Sequence, residues 1–251
     1  MLTLERHERI LALLKQQKIA KLHELVEATG ASESTIRRDL SILEDDHKLK
    51  RIHGGASFLS RKSEEPSLLE KKTQHTTEKD AIGKHAASLV ENNDCIYVDA
   101  GSTTEAILPH ITAKNVTVVT NGLNIIEAAL LQNLKVYVLA GYVKTGTRAF
   151  VGKAAAESIK QYRFDLAFIG TNGIDVSFGY STPDPEEASI KAAAIAQSNL
   201  AYMVSDPSKF RQTSFTKIAD LNEASLITID YGDDDYLEEL SEYTRVEAVK
   251  Q

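Results

Sequence analysis

Apolar side chains fall at helical spacing through the first part of the chain. Between Arg6 and Gln17, Ile10, Leu13 and Leu14 lie on one stripe with Leu11 beside them, which predicts an amphipathic helix. Leu22, Leu25 and Val26 make a second, shorter stripe. Thr29-Gly30-Ala31 interrupts it, and Gly30 suits a helix C-cap because it enters the left-handed region without a Cβ penalty. Ser32 then stands at an N-cap position, and a third helix runs to Asp46 with Ile36, Leu40 and Leu43 as its apolar stripe. An extended piece from Leu49 to Ala56 turns at Gly54-Gly55. Residues 58–77 are polar, contain Pro66 and keep no period, so they read as a linker. Glu78 to Val90 is helical again, with Ala81, Ile82, Ala86, Leu89 and Val90 on one face.

Beyond residue 90 the period changes. Short apolar, β-branched runs alternate with Ala/Leu-rich helical stretches: Cys95–Val98, Val116–Val119, Val136–Leu139, Leu166–Ile169, Tyr202–Val204 and Leu226–Ile229. Continuous apolar strands separated by helices imply a mainly parallel sheet covered on both faces. The tail GDDDYLEELSEYTRVEAVKQ reads as an acidic helix or a frayed end.

Composition narrows the class. With 42% hydrophobic and 26% charged residues in 251, the chain can bury a core and stay soluble. No apolar run approaches the ~20 residues that cross a bilayer. The candidate Ile125–Leu131 is broken by Glu127, and MLTLERHERI carries charges where a signal peptide needs an apolar core. A cytoplasmic protein without membrane partners is expected. One cysteine, Cys95, excludes an internal disulfide and a multi-cysteine zinc site. The seven histidines are scattered without ligand spacing, so neither metal nor cofactor is expected.

The net charge of −7 hides an asymmetry. Residues 1–62 hold 12 Lys+Arg against 9 Asp+Glu, or +3, whereas the remainder holds 17 against 27, or −10. A basic head on an acidic body suits a nucleic-acid reader joined to a second module. Three helices, a tight turn between the second and third, and a Gly-Gly hairpin describe a winged helix-turn-helix. With Ile36 facing the core, Arg38 lies about 200° around the third helix. The outward face is therefore Ser34, Arg37, Arg38 and Ser41. Guanidiniums bond bidentately to guanine in the major groove. Ser34 and Thr35 near the helix start reach phosphates or base edges. Lys48, Lys50, Arg51 and His53 make a basic wing.

In the second half, the strands end in small or phosphate-friendly residues: Asp99-Ala100-Gly101-Ser102-Thr103-Thr104, Thr120-Asn121-Gly122, Ala140-Gly141, Gly170-Thr171-Asn172-Gly173 and Ser205-Asp206-Pro207-Ser208-Lys209. In a parallel sheet these loops share the carboxyl edge, where open α/β folds bind ligands. Neither GxGxxG nor GxxxxGK[ST] is present, which favours a small phosphorylated metabolite over ATP or NAD. Arg148, Lys153, Lys191 and Lys209 are the cations available for a phosphate. Asp184 and Glu187 are acceptors for sugar hydroxyls, and Glu187 and Lys191, four apart, share a helix face.

These residues carry a resemblance. The run ERHERILALLKQQKIAKLHELVEATGASESTIRRDLSILEDDHKLKRIHGGA resembles the N-terminal signature of DeoR-type bacterial transcriptional repressors, with STIRRDL and RIHGGA as its specific part. The resemblance implies that SESTIRRDL is the recognition helix and that the segment ending in HGGA is the wing. Ser32, Ser34, Thr35, Arg37, Arg38, Ser41, Lys50, Arg51, His53 and Gly54 are then the operator-facing candidates. DAGSTTE, VTVVTNG, FDLAFIGTNGID, TPDPEEASIK and VSDPSKF resemble the same family's sugar-phosphate-sensing domain, which is related in fold to ribose-5-phosphate isomerases and coenzyme A transferases. The implied effector residues are Asp99, Gly101, Ser102, Thr103, Thr104, Thr120, Asn121, Gly141, Arg148, Gly170, Asn172, Asp184, Glu187, Lys191 and Lys209. The pairing of YSTPDPEEASIK with SDPSKFRQTSF looks most like the fructose-operon repressors, which implies fructose 1-phosphate as effector. Where the family usually has Gly-Gly, this chain has Ala140-Gly141.

The expectation is an α/β chain with a winged helix-turn-helix at 1–57, a linker at 58–77 and an effector-binding and oligomerising domain at 78–251. It would act as a repressor, in a homodimer or homotetramer, on operator DNA. The alternative is a sugar-phosphate isomerase-like enzyme with a DNA-binding appendage. That reading needs a general base from Asp99, Asp184 or Glu187, and no nucleophile–base pair accompanies them.

Overall fold

The structure, a computed structural model, describes residues 2–17, 19–46, 48–52, 54–58, 65–231 and 235–250. The chain divides into two compact units, Met1–Arg61 and Lys62–Gln251.

In the first unit, α1 (Thr3–Gln17), β1 (Ile19–Lys21), α2 (Leu22–Thr29), α3 (Glu33–Asp45), β2 (Leu49–Ile52) and β3 (Gly55–Phe58) follow one another. The helical stripes converge: Ile10, Leu14, Leu25, Ile36, Leu40, Leu43 and Leu49 form one buried cluster. The turn between α2 and α3 is built by local chemistry. Gly30 takes φ +68° and donates its N–H to the Val26 carbonyl, and Ser32 Oγ accepts from the Thr35 N–H at 3.3 Å. The strands pair antiparallel in the order β1-β3-β2, completing the expected winged helix-turn-helix. β1 is too short for its period to show in the sequence. The Gly-Gly pair has two different causes. Gly54 turns the hairpin at φ +78°, whereas Gly55 lies so close to β1 that a Cβ would run into the Ala20 carbonyl oxygen.

The second unit opens with α4 (Leu68–Lys72) and α5 (Thr76–Ser88). Residues 65–77, expected as linker, are thus folded. Ser67 and Glu70 form a reciprocal capping box, and the Leu68 N–H donates to the Gly146 carbonyl at 2.9 Å. The chain continues through β4 (Cys95–Val98), α6 (Ser102–Glu105), β5 (Thr117–Thr120), α7 (Leu123–Leu131) and β6 (Lys135–Val138). A hairpin, β7 (Tyr142–Lys144) and β8 (Ala149–Val151), leads to α8 (Lys153–Ser158) and β9 (Phe164–Gly170). Then come β10 (Gly173–Asp175), β11 (Gly179–Thr182), α9 (Pro185–Ala196), β12 (Ser198–Val204), β13 (Thr216–Ala219), β14 (Ser225–Asp230), α10 (Asp235–Ser241) and β15 (Val246–Lys250).

Seven strands make one sheet in the order β15-β14-β12-β9-β4-β5-β6, every neighbouring pair parallel. Successive residues feed opposite cores: Tyr97, Ala167, Ile169 and Met203 on one face, and Ile96, Val98, Phe168 and Val204 on the other. The tail corrects an expectation, since after α10 it becomes the edge strand β15. That assignment comes from pairing with β14, Leu226 opposite Val246, and not from any local period. β10, β11 and β13 form a separate antiparallel sheet. Among the described residues no helix is long and apolar enough to cross a membrane.

The strand order reverses between β4 and β9. From there the chain winds outward both ways, leaving a crevice at the strands' carboxyl ends.

Gly55→Ala should destabilise the first unit by about 1–3 kcal/mol through overpacking against β1. Gly146→Ala, where a Cβ meets nothing within 4 Å, serves as its control. Urea denaturation of both variants checks this, with a fall in midpoint expected for the first alone.

Candidate functional site

Two sites emerge, one in each unit. In the first, Asp39 anchors α3 to α1. Its buried carboxylate accepts from Arg6 Nε at 2.5 Å and Arg6 Nη2 at 3.0 Å, and pairs with His7 Nε2 at 3.0 Å. Burial pushes the Asp39 carboxyl up, but the hydrogen bonds from Arg6 and His7 more than offset this and hold it below its ordinary value. The opposite face of α3 is open. Ser32, Ser34, Arg37 and Arg38 are exposed, Thr35 and Ser41 half-buried. Arg37 reaches Glu33 at 3.5 Å, a carboxylate that the expected outward face left out. Among the described residues Arg38 has no ion-pair partner. The wing is tied to this helix: Arg51 Nη1 donates to Ser41 Oγ at 2.8 Å, and the Arg51 N–H to Glu44 Oε1 at 2.7 Å. Lys50 and Gly54 are exposed beside it, and His53 lies outside the described residues.

In the second unit a cavity of about 60 Å³ lies at the switch point. The sheet contributes Gly101, Ser102, Thr103 and Thr104 after β4, Gly170 and Asn172 after β9, and Asp206 and Lys209 after β12. α9 adds Glu187 and Lys191. Nine of the expected effector residues are thereby brought together.

At its floor Lys191 Nζ pairs with Asp99 Oδ2, both side chains at most 5% exposed, and donates to the Gly170 carbonyl at 3.1 Å. The Gly170 N–H donates to the same Asp99 oxygen at 3.1 Å, while Asp99 Oδ1 is buried without a hydrogen-bond partner among the described residues. Burial pulls the Lys191 ammonium down, but Asp99 and Glu187 outweigh it and raise its pKa above the ordinary value. Glu187 and Lys191 share a face of α9, as their spacing implies, but it is not a solvated surface. Both are buried, and Glu187 Oε1 instead accepts from Lys144 Nζ at 3.0 Å and Thr147 Oγ1 at 2.7 Å.

Five expected residues stay out of the cavity. Thr120 closes β5, and Asn121 and Gly141 follow β5 and β6, on the side of β4 away from β9. Asn121 instead accepts from the Tyr97 hydroxyl at 2.9 Å and the Ala100 N–H at 3.0 Å, bracing the β4 loop from behind. Asp184 caps α9, accepting from the Glu186 and Glu187 N–H groups, and meets Lys144 at 2.8 Å. Arg148 sits in the β7–β8 hairpin at φ +56°.

Several lining residues escaped the sequence reading: Glu65, Lys71, His75 and Lys79, all from the segment around α4 and α5, and Thr147. Lys79 is buried, its Nζ donating to the carbonyls of Lys71 and, at 2.6 Å, Gln74. Burial outweighs nearby Asp206 and lowers its pKa. The Ser67-x-x-Glu70 capping box was the sequence signal that this segment folds. Among the described residues no group of His, Cys, Asp and Glu is arranged to hold a metal.

The DeoR-like helix-turn-helix domain matches residues 6–62, and the DeoR C terminal sensor domain matches residues 74–231. The chain belongs to the DeoR family of transcriptional regulators. It is 46% identical over 92% of both chains to an uncharacterized HTH-type transcriptional regulator, FruR, of Bacillus subtilis. It is 31% identical, over 96% of its own length and 98% of the relative's, to the lactose phosphotransferase system repressor of Staphylococcus aureus. Among solved structures it is similar to ribose 5-phosphate isomerase A from Methanocaldococcus jannaschii (15% identical, 53% of each chain, TM-score 0.39). It is also similar to eIF2B delta from Chaetomium thermophilum (16% identical, 62% of this chain and 56% of that one, TM-score 0.43). The curated relatives are regulators, so the isomerase alternative is set aside.

Removing one partner of the buried ion pair should be costly. Lys191→Met should destabilise the second unit by about 3–5 kcal/mol, since it strands Asp99, and Asp99→Asn on that background should recover part of the loss. Chemical denaturation of the single and double variants measures both. Because the folded Lys191 pKa is raised, its contribution is complete at neutral pH and is lost only as pH rises through that raised value.

Proposed function

We propose that this chain is a transcriptional repressor of a sugar-utilisation operon, that for fructose, and that a phosphorylated sugar releases it from operator DNA. The observation that carries the sensing half is the convergence of Lys71, Lys79, Lys191 and Lys209 on one cavity with Ser102, Thr103 and Thr104. Lysines and hydroxyls suit phosphate oxygens. Glu187 and Asn172 supply acceptors and a carboxamide for sugar hydroxyls. Asp99 acts behind Lys191, orienting it. The resemblance of the TPDPEEASIK and VSDPSKF segments to fructose-operon repressors favours fructose 1-phosphate.

For the DNA half, Arg37, Arg38, Ser34 and Thr35 read the operator from α3, Ser32 and Ser41 support them, and Lys50, Arg51, His53 and Gly54 form the wing. One such module makes few contacts, so a homodimer or homotetramer reading paired half-sites is part of the proposal. The inducer must bind the DNA-incompetent state more tightly, because equal affinity for both states shifts nothing.

A thermal-shift panel of hexose and pentose phosphates tests the sensor. At ~100 times its Kd, a ligand specific to the folded state adds about 2.7 kcal/mol, and fructose 1-phosphate is expected to give the largest rise. A larger rise with another sugar phosphate would discard the fructose assignment, and no rise with any would overturn the sensing role. In operator titrations, Arg38→Ala should weaken specific binding by about 1–3 kcal/mol while sparing non-specific binding more. Unchanged operator affinity would remove α3 from the reading role.

A further inference from the structure

One carboxylate in the cavity does not belong to the sheet or to α9. Glu65 lies just inside the second unit, ahead of the α4 capping box, with its side chain 8% exposed. Its Oε1 accepts from Lys71 Nζ at 2.5 Å and from Asn172 Nδ2 at 3.3 Å, and its Oε2 accepts from Lys144 Nζ at 3.2 Å. Three donors from three parts of the fold thus converge on one anion. Burial pushes the Glu65 carboxyl up, but Lys71 and Lys144 outweigh it and keep the group ionised at neutral pH.

The other carboxylates at this place are committed to the fold. Asp99 is locked to Lys191, Asp184 caps α9, Glu187 is carried on α9, and Asp206 accepts from the Ser208 N–H at 3.0 Å. Glu65 lies outside any helix or strand, and among the described residues the three donors above hold its side chain. Without it Lys144 keeps Asp184 and Glu187, while Lys71 loses its ion pair. Charge gives the same answer. Of the lining residues, Lys71, Lys79, Lys191 and Lys209 face Glu65, Glu187 and Asp206, and Asp99 pairs with Lys191 at the floor, so the site is balanced as it stands. A phosphate entering a balanced, partly desolvated site adds uncompensated negative charge, so its entry is favoured when a carboxylate gives way.

We propose that Glu65 is a resident stand-in for the anionic ligand: its carboxylate occupies the Lys71–Lys144–Asn172 donor set, and an entering phosphate takes that set by displacing it. The proposal rests on the reading of the cavity as a phosphate site. Its consequence is regulatory. Glu65 belongs to the segment by which the chain enters the second unit, so ligand occupancy and this anchor of the segment exclude each other. The ligand class is set by the same donors: an anion with several oxygens and at least as much charge as a carboxylate.

The test uses the full-length chain and calorimetric titration with inorganic phosphate and with fructose 1-phosphate. Glu65→Gln keeps the size of the side chain but removes its charge, and should lower the phosphate Kd about five- to tenfold, the scale of removing one partly screened like charge. On the wild-type protein, hydrogen exchange at residues 66–72 should speed up when phosphate or fructose 1-phosphate binds. Glu65→Gln binding phosphate no more tightly than wild type would overturn the proposal. So would greater protection of residues 66–72 on binding, and this second readout decides the matter if the variant fails to fold. Wild-type protein that binds neither phosphate nor any sugar phosphate would instead defeat the reading of the cavity itself, and this proposal with it.

Discussion

A lysine and an aspartate buried together at the end of β4 set the geometry of the sensor unit. Lys191 and Asp99 are each almost wholly removed from water. Taking two charges out of water costs several kcal/mol apiece and is offset only when the geometry is good and the remaining valences are filled. The fold meets that demand from three directions. β4 delivers Asp99, the end of β9 delivers the Gly170 N–H and carbonyl, and α9 delivers Lys191. For α9 to do so its register must be fixed. Asp184 caps it, Pro185 occupies its first turn, and Ala188, Ile190 and Ala194 pack into the core. The same register aims Glu187 at Lys144 and Thr147. The floor of the cavity and the start of α9 are thus one construction, and Asp99 Oδ1, without a partner among the described residues, is the kind of cost that a site for binding carries.

The DNA-binding unit uses the same device on a smaller scale. Asp39 faces inward from α3 and clamps Arg6 and His7 of α1, so the outward face is presented by a helix that cannot roll. Arg37 and Arg38 share the motif STIRRDL with Asp39 but do the opposite job. Two residues point to solvent and one to the core because a helix turns about 100° per residue. The Arg51 contacts to Ser41 and Glu44 then fix the wing against the same helix.

Much of this was legible in the sequence, for identifiable reasons. The α2–α3 turn was readable because Gly30 and Ser32 act through their own backbone and their near neighbours. The five internal strands β14, β12, β9, β4 and β5 were readable because burial on both faces leaves continuous apolar runs, and the edge strand β6 was readable from the apolar run Val136–Leu139 although it is largely exposed. The edge strand β15 was hidden, since VEAVK has no period that outweighs its charges and is fixed by pairing with residues twenty positions away. In the cavity, the loops after β4, β9 and β12 were legible as polar strand ends. Choosing among five such loops required the strand order, which moved Thr120, Asn121 and Gly141 out of the site. Glu65 and Lys71 were hidden because a charged, irregular stretch looks like linker until the partners of its charges are known, and Lys79 was hidden because a lysine in an expected helix looks solvated until its burial is known. Ser67 and Glu70 were the local sign to the contrary.

In the proposed function, occupancy of the β4–β9 cavity controls operator binding. Fluorescence anisotropy of a labelled operator duplex, titrated with the full-length protein at fixed salt with and without saturating fructose 1-phosphate, tests it most directly. The account predicts at least a tenfold rise in operator Kd with the sugar phosphate, about 1.4 kcal/mol of coupling, and a much smaller change with unphosphorylated fructose. Operator affinity that is indifferent to every sugar phosphate tried would contradict it.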